Sequence, residues 1–355
     1  MTMDKHSIEK RVLLLVPAGV EIRSIVQGLE RVGAAVDIQT YHADVKVADI
    51  IWRGPYLVGL VACRQLLSDE GEGRQANLAT IAPVIASFQR EFSCPIIIVG
   101  DHHNSCGLVE VLNIRNITGI VAWTDSQARR QAVVAVDKII NRDLWGMERY
   151  FQRETPIRSF AVTSSGQRDK LLSELAEYLA PFKANRRIVA AAQSVADEFV
   201  MNAVYNAPTG PSGEHLYASR SRTEAVDLSS GDAALFRYTC DGERVFLSIA
   251  DRFGSLEPDK VKRYLIRGLK GGAGQIEQKE GGAGLGLYTL LKSANRLIIN
   301  IAPGVGTEMI AVLEVSGSFK RFLARPKSFH LFHATTKPHN GPQLSVSPLG
   351  MNLDP

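Results

Sequence analysis

The chain has 355 residues, of which 45% are hydrophobic and 22% are charged, and its formal net charge is +4. Its length suits two domains, and its composition is that of a globular protein, which excludes disordered and fibrous classes. Four scattered cysteines indicate a reducing compartment and not a disulfide framework. Because no apolar run approaches the ~18 residues of a membrane span and no signal peptide precedes the first strand, we expect a cytoplasmic protein without a membrane partner. The mild positive charge gives no reason to expect a nucleic acid either.

The first 140 residues alternate between strand and helix patterns. Residues 11–16 form a continuous apolar run, as in a strand that is buried on both faces, and residues 21–32 have the spacing of an amphipathic helix. Further strands are predicted at 35–41, 56–63, 94–99 and 119–123, with a helix at 126–140. Five strands alternating with helices predict an α/β domain with a doubly wound parallel sheet.

The order and size of this domain resemble the receiver domain of response regulators, although the receiver's chemical residues are replaced. The family has an acidic pair after its first strand, where residues 17–19 here are Pro-Ala-Gly. It has a phospho-accepting Asp after its third strand and a Lys after its fifth, where residues 62–64 are Ala-Cys-Arg and 123–124 are Trp-Thr. Phosphorylation of a receiver needs a carboxylate nucleophile and acidic Mg²⁺ ligands. We therefore expect residues 1–140 to be a degenerate receiver-like domain for docking or dimerisation.

The remaining boundaries follow from composition. Residues 141–155 are polar and aromatic, and we interpret them as a linker to a second domain at 156–316. Residues 317–355 begin with a basic aromatic segment, whose Phe and Leu side chains we expect to pack on that domain. The end of the chain is rich in Pro, Thr, Ser, Gly and Asn, which predicts a disordered tail.

A polar stripe runs along the predicted helix 188–207. Glu198, Asn202 and Asn206 recur every four residues and so project from one side of the helix, a turn apart. A Glu can polarise a hydroxyl group, and the neutral oxygen of an Asn can complete an Mg²⁺ shell that is shared with phosphates. Taken alone, the stripe is equally typical of the solvated face of an amphipathic helix.

A hairpin is predicted at 233–256, with its turn at 240–243. Its second strand is apolar and ends at Asp251, and Gly254 follows. A carboxylate at the end of an apolar strand can accept a hydrogen bond from the exocyclic amine of adenine, and a glycine lets the backbone pass close to the base. A strand that ends in a solvated turn would show the same pattern.

A glycine run precedes the predicted helix that begins near residue 287. Gly282, Gly284 and Gly286 leave backbone N–H groups free to cradle phosphate at the positive end of the helix dipole. The run lacks a following Lys-Ser/Thr and does not closely follow a strand. It is therefore neither a Walker loop nor a Rossmann fingerprint.

The order of these segments carries more information than any one of them. E-x-x-x-N-A, D-x-x-G, G-x-G-x-G and the sequence Gly-Val-Gly-Thr-Glu at 304–308 resemble the N, G1, G2 and G3 boxes of the GHKL family. That family includes histidine kinases, gyrase-type ATPases and anti-sigma-factor kinases. The resemblance covers 156–316 and implies an α/β sandwich, one mixed sheet backed by helices, with ATP bound between the boxes.

The resemblance also implies a role for each matching residue. Glu198 corresponds to the catalytic base and Asn202 to the ligand of Mg²⁺. Lys270 lies in the stretch 267–280, which corresponds to a mobile lid over the γ-phosphate. The other residues expected to bind ATP are Asn206, Asp251 at the adenine, Gly254, the phosphate-loop glycines Gly282, Gly284 and Gly286, and Thr307 beside the base.

One departure from the family concerns the first glycine box. It reads D-x-G-x-G in the family, whereas Phe253 stands at the position of its first glycine here. We expect Phe253 to stack near the base and the hinge of the lid to be altered.

Among the subfamilies, the anti-sigma-factor serine kinases match best. They have Glu at the first position of the N box, where histidine kinases usually have Asn, and this chain shows no helix pair that carries a phospho-accepting His. His215 lies in a polar loop, where we expect it to be solvated. We therefore predict an ATP- and Mg²⁺-dependent Ser/Thr protein kinase that acts on a regulatory protein partner, such as an anti-sigma antagonist, and that is compatible with a homodimer.

Two alternative functions remain open from the sequence. The first is a non-catalytic protein-interaction switch that is gated by a nucleotide. The second is a histidine kinase-like ATPase that lacks its own phospho-acceptor His.

Overall fold

A computed structural model describes residues 10–42, 44–63, 78–100, 105–122, 127–271, 283–315, 317–334, 336, 338 and 340–344. Helices and strands occur together throughout these ranges, which confirms the predicted α/β class. The chain forms two compact units, Met1–Asp143 and Leu144–Pro355. Within the described ranges, no helix is long and apolar enough to cross a membrane.

The N-terminal unit is a parallel sheet with helices. Its elements are β1 (Arg11–Pro17), α1 (Arg23–Arg31), β2 (Ala35–Tyr41), β3 (Val58–Ala62), α2 (Leu78–Glu91), β4 (Ile96–Val99), α3 (Ser105–Leu112), β5 (Ile117–Val121) and α4 (Ala128–Ile140). The strands are parallel in the order β2-β1-β3-β4-β5, which is the order of a doubly wound sheet. β3 and β4 are buried along their whole length, as expected of central strands that are covered on both faces.

The carboxyl end of β3 carries a buried thiol. Cys63 is 1% exposed, and burial raises the pKa of its thiol to about 12. The hydroxyl of Tyr41 closes this corner by donating to the carbonyl oxygen of Ala62 at 2.7 Å. A thiol that stays protonated at neutral pH is a poor nucleophile, so Cys63 contributes packing rather than chemistry. Two other positions were compared with receiver residues. Residues 17–19 are described by the structure, whereas 123–124 lie outside the described residues.

The C-terminal unit is a mixed sheet backed by helices. Its elements are β6 (Arg158–Val162), α5 (Arg168–Leu179), α6 (Arg186–Met201), β7 (Ala234–Cys240), β8 (Arg244–Asp251), α7 (Pro258–Gly271), α8 (Ala283–Ser293), β9 (Arg296–Ala302), β10 (Gly306–Glu314), α9 (Phe319–Ala324) and β11 (Ser328–His333). The strand order is β11-β9-β10-β8-β7-β6, and only the β11–β9 pair is parallel within the described ranges. α6 packs on β8 and β10, and α8 packs on α6, α7 and β9. This arrangement places the ends of β8 and β10 beside α6 and α7.

The other face of this sheet carries a buried ion-pair network. Arg237 of β7 lies 3.3 Å from Glu308 of β10 and also pairs with Glu148. Glu308 accepts a further hydrogen bond from the backbone N–H of Gly146 at 2.9 Å. Buried charges are tolerated when they are paired and hydrogen-bonded in this way. Residues 144–148 therefore lie against the sheet and complete its polar face.

Candidate functional site

The predicted polar stripe lies at the C-terminal end of α6. The helix starts with Asn185, whose side chain accepts a hydrogen bond from the backbone N–H of Arg187 at 2.9 Å, as an N-cap does. It continues into a π-helical turn at Asn202–Asn206. Such wider turns are rare and occur often at functional sites. Two members of the stripe thus lie on a widened segment of backbone.

The three side chains of the stripe form a hydrogen-bonded ladder despite the wider turn. The amide of Asn202 donates to Oε1 of Glu198 at 2.8 Å, and the amide of Asn206 donates to Oδ1 of Asn202 at 2.7 Å. The spacing of four residues therefore brings these groups together as expected. Oδ1 of Asn202, the oxygen compared with an Mg²⁺ ligand, is engaged by Asn206 in this arrangement.

Glu198 is nearly enclosed. Its side chain is 11% exposed, and Oε2 lies 3.3 Å from Nη1 of Arg222. Burial raises the pKa of the Glu198 carboxyl, while Arg222 and Asn202 oppose that rise. α8 passes so close that a Cβ at Gly286 would lie 1.8 Å from Oε1. A side chain at residue 286 would therefore displace the carboxylate of Glu198.

Asp251 and Thr307 face each other across neighbouring strands. They are register partners at the ends of β8 and β10, and Asp251 is 6% exposed. Oδ1 of Asp251 accepts hydrogen bonds from the backbone N–H groups of Phe253 at 2.8 Å and Gly254 at 3.2 Å. Burial raises the pKa of Asp251 to about 6, against the opposing effect of these bonds and of bonds from Thr307. The site therefore holds a carboxylate that is ionised at neutral pH in a buried position.

Gly254 has a steric requirement of its own. Its φ is +62°, and a Cβ there would lie 2.1 Å from the carbonyl oxygen of Ala302. The backbone N–H of Gly304 donates to the carbonyl oxygen of Phe253 at 3.2 Å, so the turn after β8 packs on the turn between β9 and β10. The close backbone approach predicted at Gly254 is therefore to Ala302.

One cavity of about 590 Å³ collects four of the predicted residues, Asn202, Asn206, Asp251 and Thr307. They come from the π-helical turn that follows α6, from β8 and from β10, which are separate in the sequence. The volume lies within the range of small-molecule sites. Other residues that line the cavity include Ser255, Lys260, Arg263, Tyr264, Leu287 and Met309.

The other predicted residues have different positions. Glu198 contacts Asn202 but is not among the residues that line the cavity. Lys270 is exposed in the last turn of α7, and Gly284 lies in the first turn of α8. Gly282 and the part of the proposed lid beyond residue 271 lie outside the described residues.

The cavity also contains residues that the sequence did not suggest. Lys260, Arg263 and Tyr264 of α7 line it, and so does His215, which is exposed as predicted. Lys260 and Arg263 are three residues apart and so lie on the same side of the helix. Together they give the α7 side of the cavity two positive charges, and Glu257 adds one negative charge there. The helical spacing of the two cations is the signal that could have identified them.

Within the described part of the chain, no group of three or more His, Cys, Asp or Glu is placed so that it could hold a metal ion. Oδ1 of Asn202 is the oxygen that the sequence predicts as a ligand of Mg²⁺.

Comparison with known proteins gives distant structural likenesses only. No protein-family model and no curated protein sequence matches the chain. A chain of the SiaB-SiaC complex from Pseudomonas aeruginosa is 15% identical over 47% of this chain and 95% of that chain, with a TM-score of 0.30. The RcsB response regulator from Salmonella typhimurium is 15% identical over 54% of this chain and 93% of that chain, with a TM-score of 0.27. At these TM-scores the likenesses carry no functional argument.

Proposed function

We propose that the C-terminal unit binds ATP with Mg²⁺, and that the protein is a signalling regulator that phosphorylates Ser or Thr of a protein partner. One observation carries this proposal: Asn202, Asn206, Asp251 and Thr307 belong to three separate segments of the sequence, and all of them line a single cavity. Chance would rarely bring residues of matching chemistry to one site from such separate segments.

The chemistry of the cavity suits adenine at its strand end. Asp251 offers a buried carboxylate, and a hydrogen bond from an amine to such a group is worth about 1.5–3 kcal/mol. Thr307 lies beside it on β10, and its hydroxyl, which donates to Asp251, can donate to a ring nitrogen instead when the base binds. Leu287 and Met309 supply apolar surface for the faces of the ring. A planar base with one exocyclic amine fits this combination.

The helical side of the cavity suits phosphate. Lys260 and Arg263 contribute positive charge, and the first turn of α8, which contains Gly284, has backbone N–H groups that find no partner within the helix. Oδ1 of Asn202 is a hard, neutral oxygen of the kind that Mg²⁺ accepts. This oxygen has two lone pairs, so it can serve the metal while it accepts one N–H of Asn206. The second N–H of the Asn206 amide can donate to a phosphate oxygen.

Bound ATP supplies the phosphoryl group, and the residues of the chain supply position and proton transfer. Glu198 orients the hydroxyl of the acceptor residue and accepts its proton. Asn202 would hold the metal through Oδ1, and its amide holds one oxygen of Glu198. The ladder along α6 thus connects the nucleotide site to the base.

Calorimetry of the full chain with ATP, in the presence and absence of Mg²⁺, tests the binding step. We expect binding in the micromolar to millimolar range, strengthened by Mg²⁺. Incubation with γ-labelled ATP and candidate protein partners then tests transfer to Ser or Thr. If no adenine nucleotide binds at millimolar concentration, the proposal is wrong.

A nucleotide-gated switch without catalysis is the second candidate. It is favoured by the enclosure of Glu198, whose two oxygens are engaged by Asn202 and Arg222. Glu198→Gln separates the two functions. In a kinase it lowers phosphoryl transfer by about 10²–10⁴-fold with little change in ATP affinity, whereas in a switch it leaves nucleotide-dependent partner capture intact.

A further inference from the structure

Arg222 occupies the solvent side of the Glu198 carboxylate. It belongs to the loop between α6 and β7, and its side chain is 37% exposed, against 11% for Glu198. Nη1 donates to Oε2 of Glu198 at 3.3 Å. The guanidinium group therefore lies where the buried carboxylate meets solvent, which is the side from which an acceptor residue can approach.

The two oxygens of Glu198 are held by different elements. Oε1 accepts from the amide of Asn202 at 2.8 Å and is confined by the backbone of Gly286. Oε2 is held by Arg222. Together these contacts select one orientation of the carboxylate plane, because rotation would break a hydrogen bond on each side. Arg222 therefore fixes the position of Oε2, the oxygen on the solvent side.

The loop that carries Arg222 is attached to the same helical segment. The buried hydroxyl of Tyr205, within the π-helical turn, donates to the carbonyl oxygen of Glu224 and lies 3.4 Å from the carbonyl oxygen of Arg222. The backbone of Arg222 is thus anchored by the turn that also carries Asn202. Its neighbour Arg220 differs, since it lies over the ring of Tyr217 at 5.0 Å. The contact with Glu198 is specific to residue 222.

We propose that Arg222 is a positioning residue for phosphoryl transfer: its hydrogen bond to Oε2 keeps the carboxylate of Glu198 turned toward the acceptor hydroxyl. This inference rests on the proposed function. Small displacements of a reacting group cost large factors in rate, and a supporting residue acts by preventing them. Arg222 therefore controls turnover and leaves the affinity for ATP unchanged, because its contact is with the base.

The first test measures kcat and KM for phosphate release from ATP and Mg²⁺, with water as the acceptor. We expect Arg222→Gln to lower kcat by about tenfold or more while KM for ATP changes by less than about twofold. Arg222→Lys should recover part of the loss because it keeps a donor. Arg220→Gln, the matched control on the same loop, should resemble the wild type. In a Glu198→Gln background, Arg222→Gln should have no further effect.

Two kinetic results would overturn the inference. One is a rise in turnover in Arg222→Gln, which would make Arg222 a cap that blocks the base. The other is an equal loss with or without Glu198, which would show that Arg222 acts on something else.

A second measurement does not depend on turnover. Amide hydrogen exchange over 222–226 should become about tenfold faster in Arg222→Gln, as expected for the loss of one charged hydrogen bond. Glu198→Gln should have a similar effect, and the double variant should show no additional increase. Additive increases overturn the inference about Arg222 whether or not phosphate is released. Loss of ATP binding by calorimetry, in contrast, overturns the proposed function itself, so the two failures are distinguishable.

Discussion

Removing the buried negative charge of Asp251 should affect the stability of the chain and its affinity for ATP in opposite directions. In Asp251→Asn, the amide oxygen can still accept from the N–H groups of Phe253 and Gly254, which bond Oδ1 in the wild type. The amide nitrogen then takes the place of the second carboxylate oxygen. It can donate to the hydroxyl of Thr307, but it cannot accept from the backbone N–H of Thr307, which bonds the carboxylate in the wild type. The substitution thus removes a buried negative charge at the cost of one local hydrogen bond.

The gain in stability expected from removing the charge follows from the raised pKa of the Asp251 carboxyl. Asp251 is raised from 3.8 to about 6 in the folded chain. At about 1.4 kcal/mol for each pH unit, this lowers the free energy of unfolding of the wild type by about 3 kcal/mol at high pH. Because the folded pKa is the higher one, stability is greatest below pH 3.8 and is lost as the pH rises through about 6. About 1.4 kcal/mol of that loss falls between pH 5 and pH 8, and Asp251→Asn should not show it.

The effect on nucleotide binding has the opposite sign. An amide nitrogen presents a donor to the exocyclic amine of adenine, which is itself a donor. The affinity for ATP should therefore fall by about 10–100-fold, the cost of one hydrogen bond to a charged group. In the wild type, the affinity should also decrease as the pH falls below about 6, because the acceptor becomes protonated.

Amide exchange of β8 and β10, detected by mass spectrometry at pH 5 and pH 8, reports the stability of the C-terminal unit. Calorimetry with ATP on the same samples reports binding. Asp169→Asn is the matched control, since Asp169 has a side chain that is 87% exposed. The reasoning is refuted if the difference in stability between Asp251→Asn and the wild type does not change from pH 5 to pH 8. An unchanged ATP affinity would show that Asp251 is not the acceptor for adenine.

Three further predictions concern other parts of the site. Asn202→Ala should lower ATP affinity by about tenfold or more in Mg²⁺, as for the loss of a metal ligand, and by much less in excess chelator; equal losses under both conditions in calorimetry would exclude Asn202 as the Mg²⁺ ligand. Gly286→Ala should destabilise the unit by about 1–3 kcal/mol, because its Cβ would overlap Oε1 of Glu198; urea unfolding should show no such loss for Gly166→Ala, where the nearest neighbour lies 3.5 Å from the added Cβ. Lys260→Gln should weaken ATP binding and reduce its salt dependence without changing the affinity for adenosine; an equal effect on both ligands in titrations at two salt concentrations would contradict a phosphate contact.

Periodicity in the sequence determined the N-terminal sheet and the polar stripe. The apolar runs predicted a parallel doubly wound sheet, and the predicted strand at 35–41 coincides with β2. The spacing of Glu198, Asn202 and Asn206 was sufficient to predict a row, since residues four apart on a helix are neighbours. The π-helical turn was not predicted, because no local pattern distinguishes it from a continuing α-helix.

Only the tertiary structure decided which surfaces meet. Arg222 and Glu198 are separated by a loop without periodic spacing, so nothing local links the guanidinium to the carboxylate. The close approach of Gly286 to Glu198 follows from the packing of α8 on α6, and not from the glycine-rich sequence. Lys260 enters the cavity because α7 lies beside the ends of β8 and β10. A hydrophobic pattern states which face of an element is buried, but the partner of that face is set by contacts between distant residues, which have no signature in the local sequence.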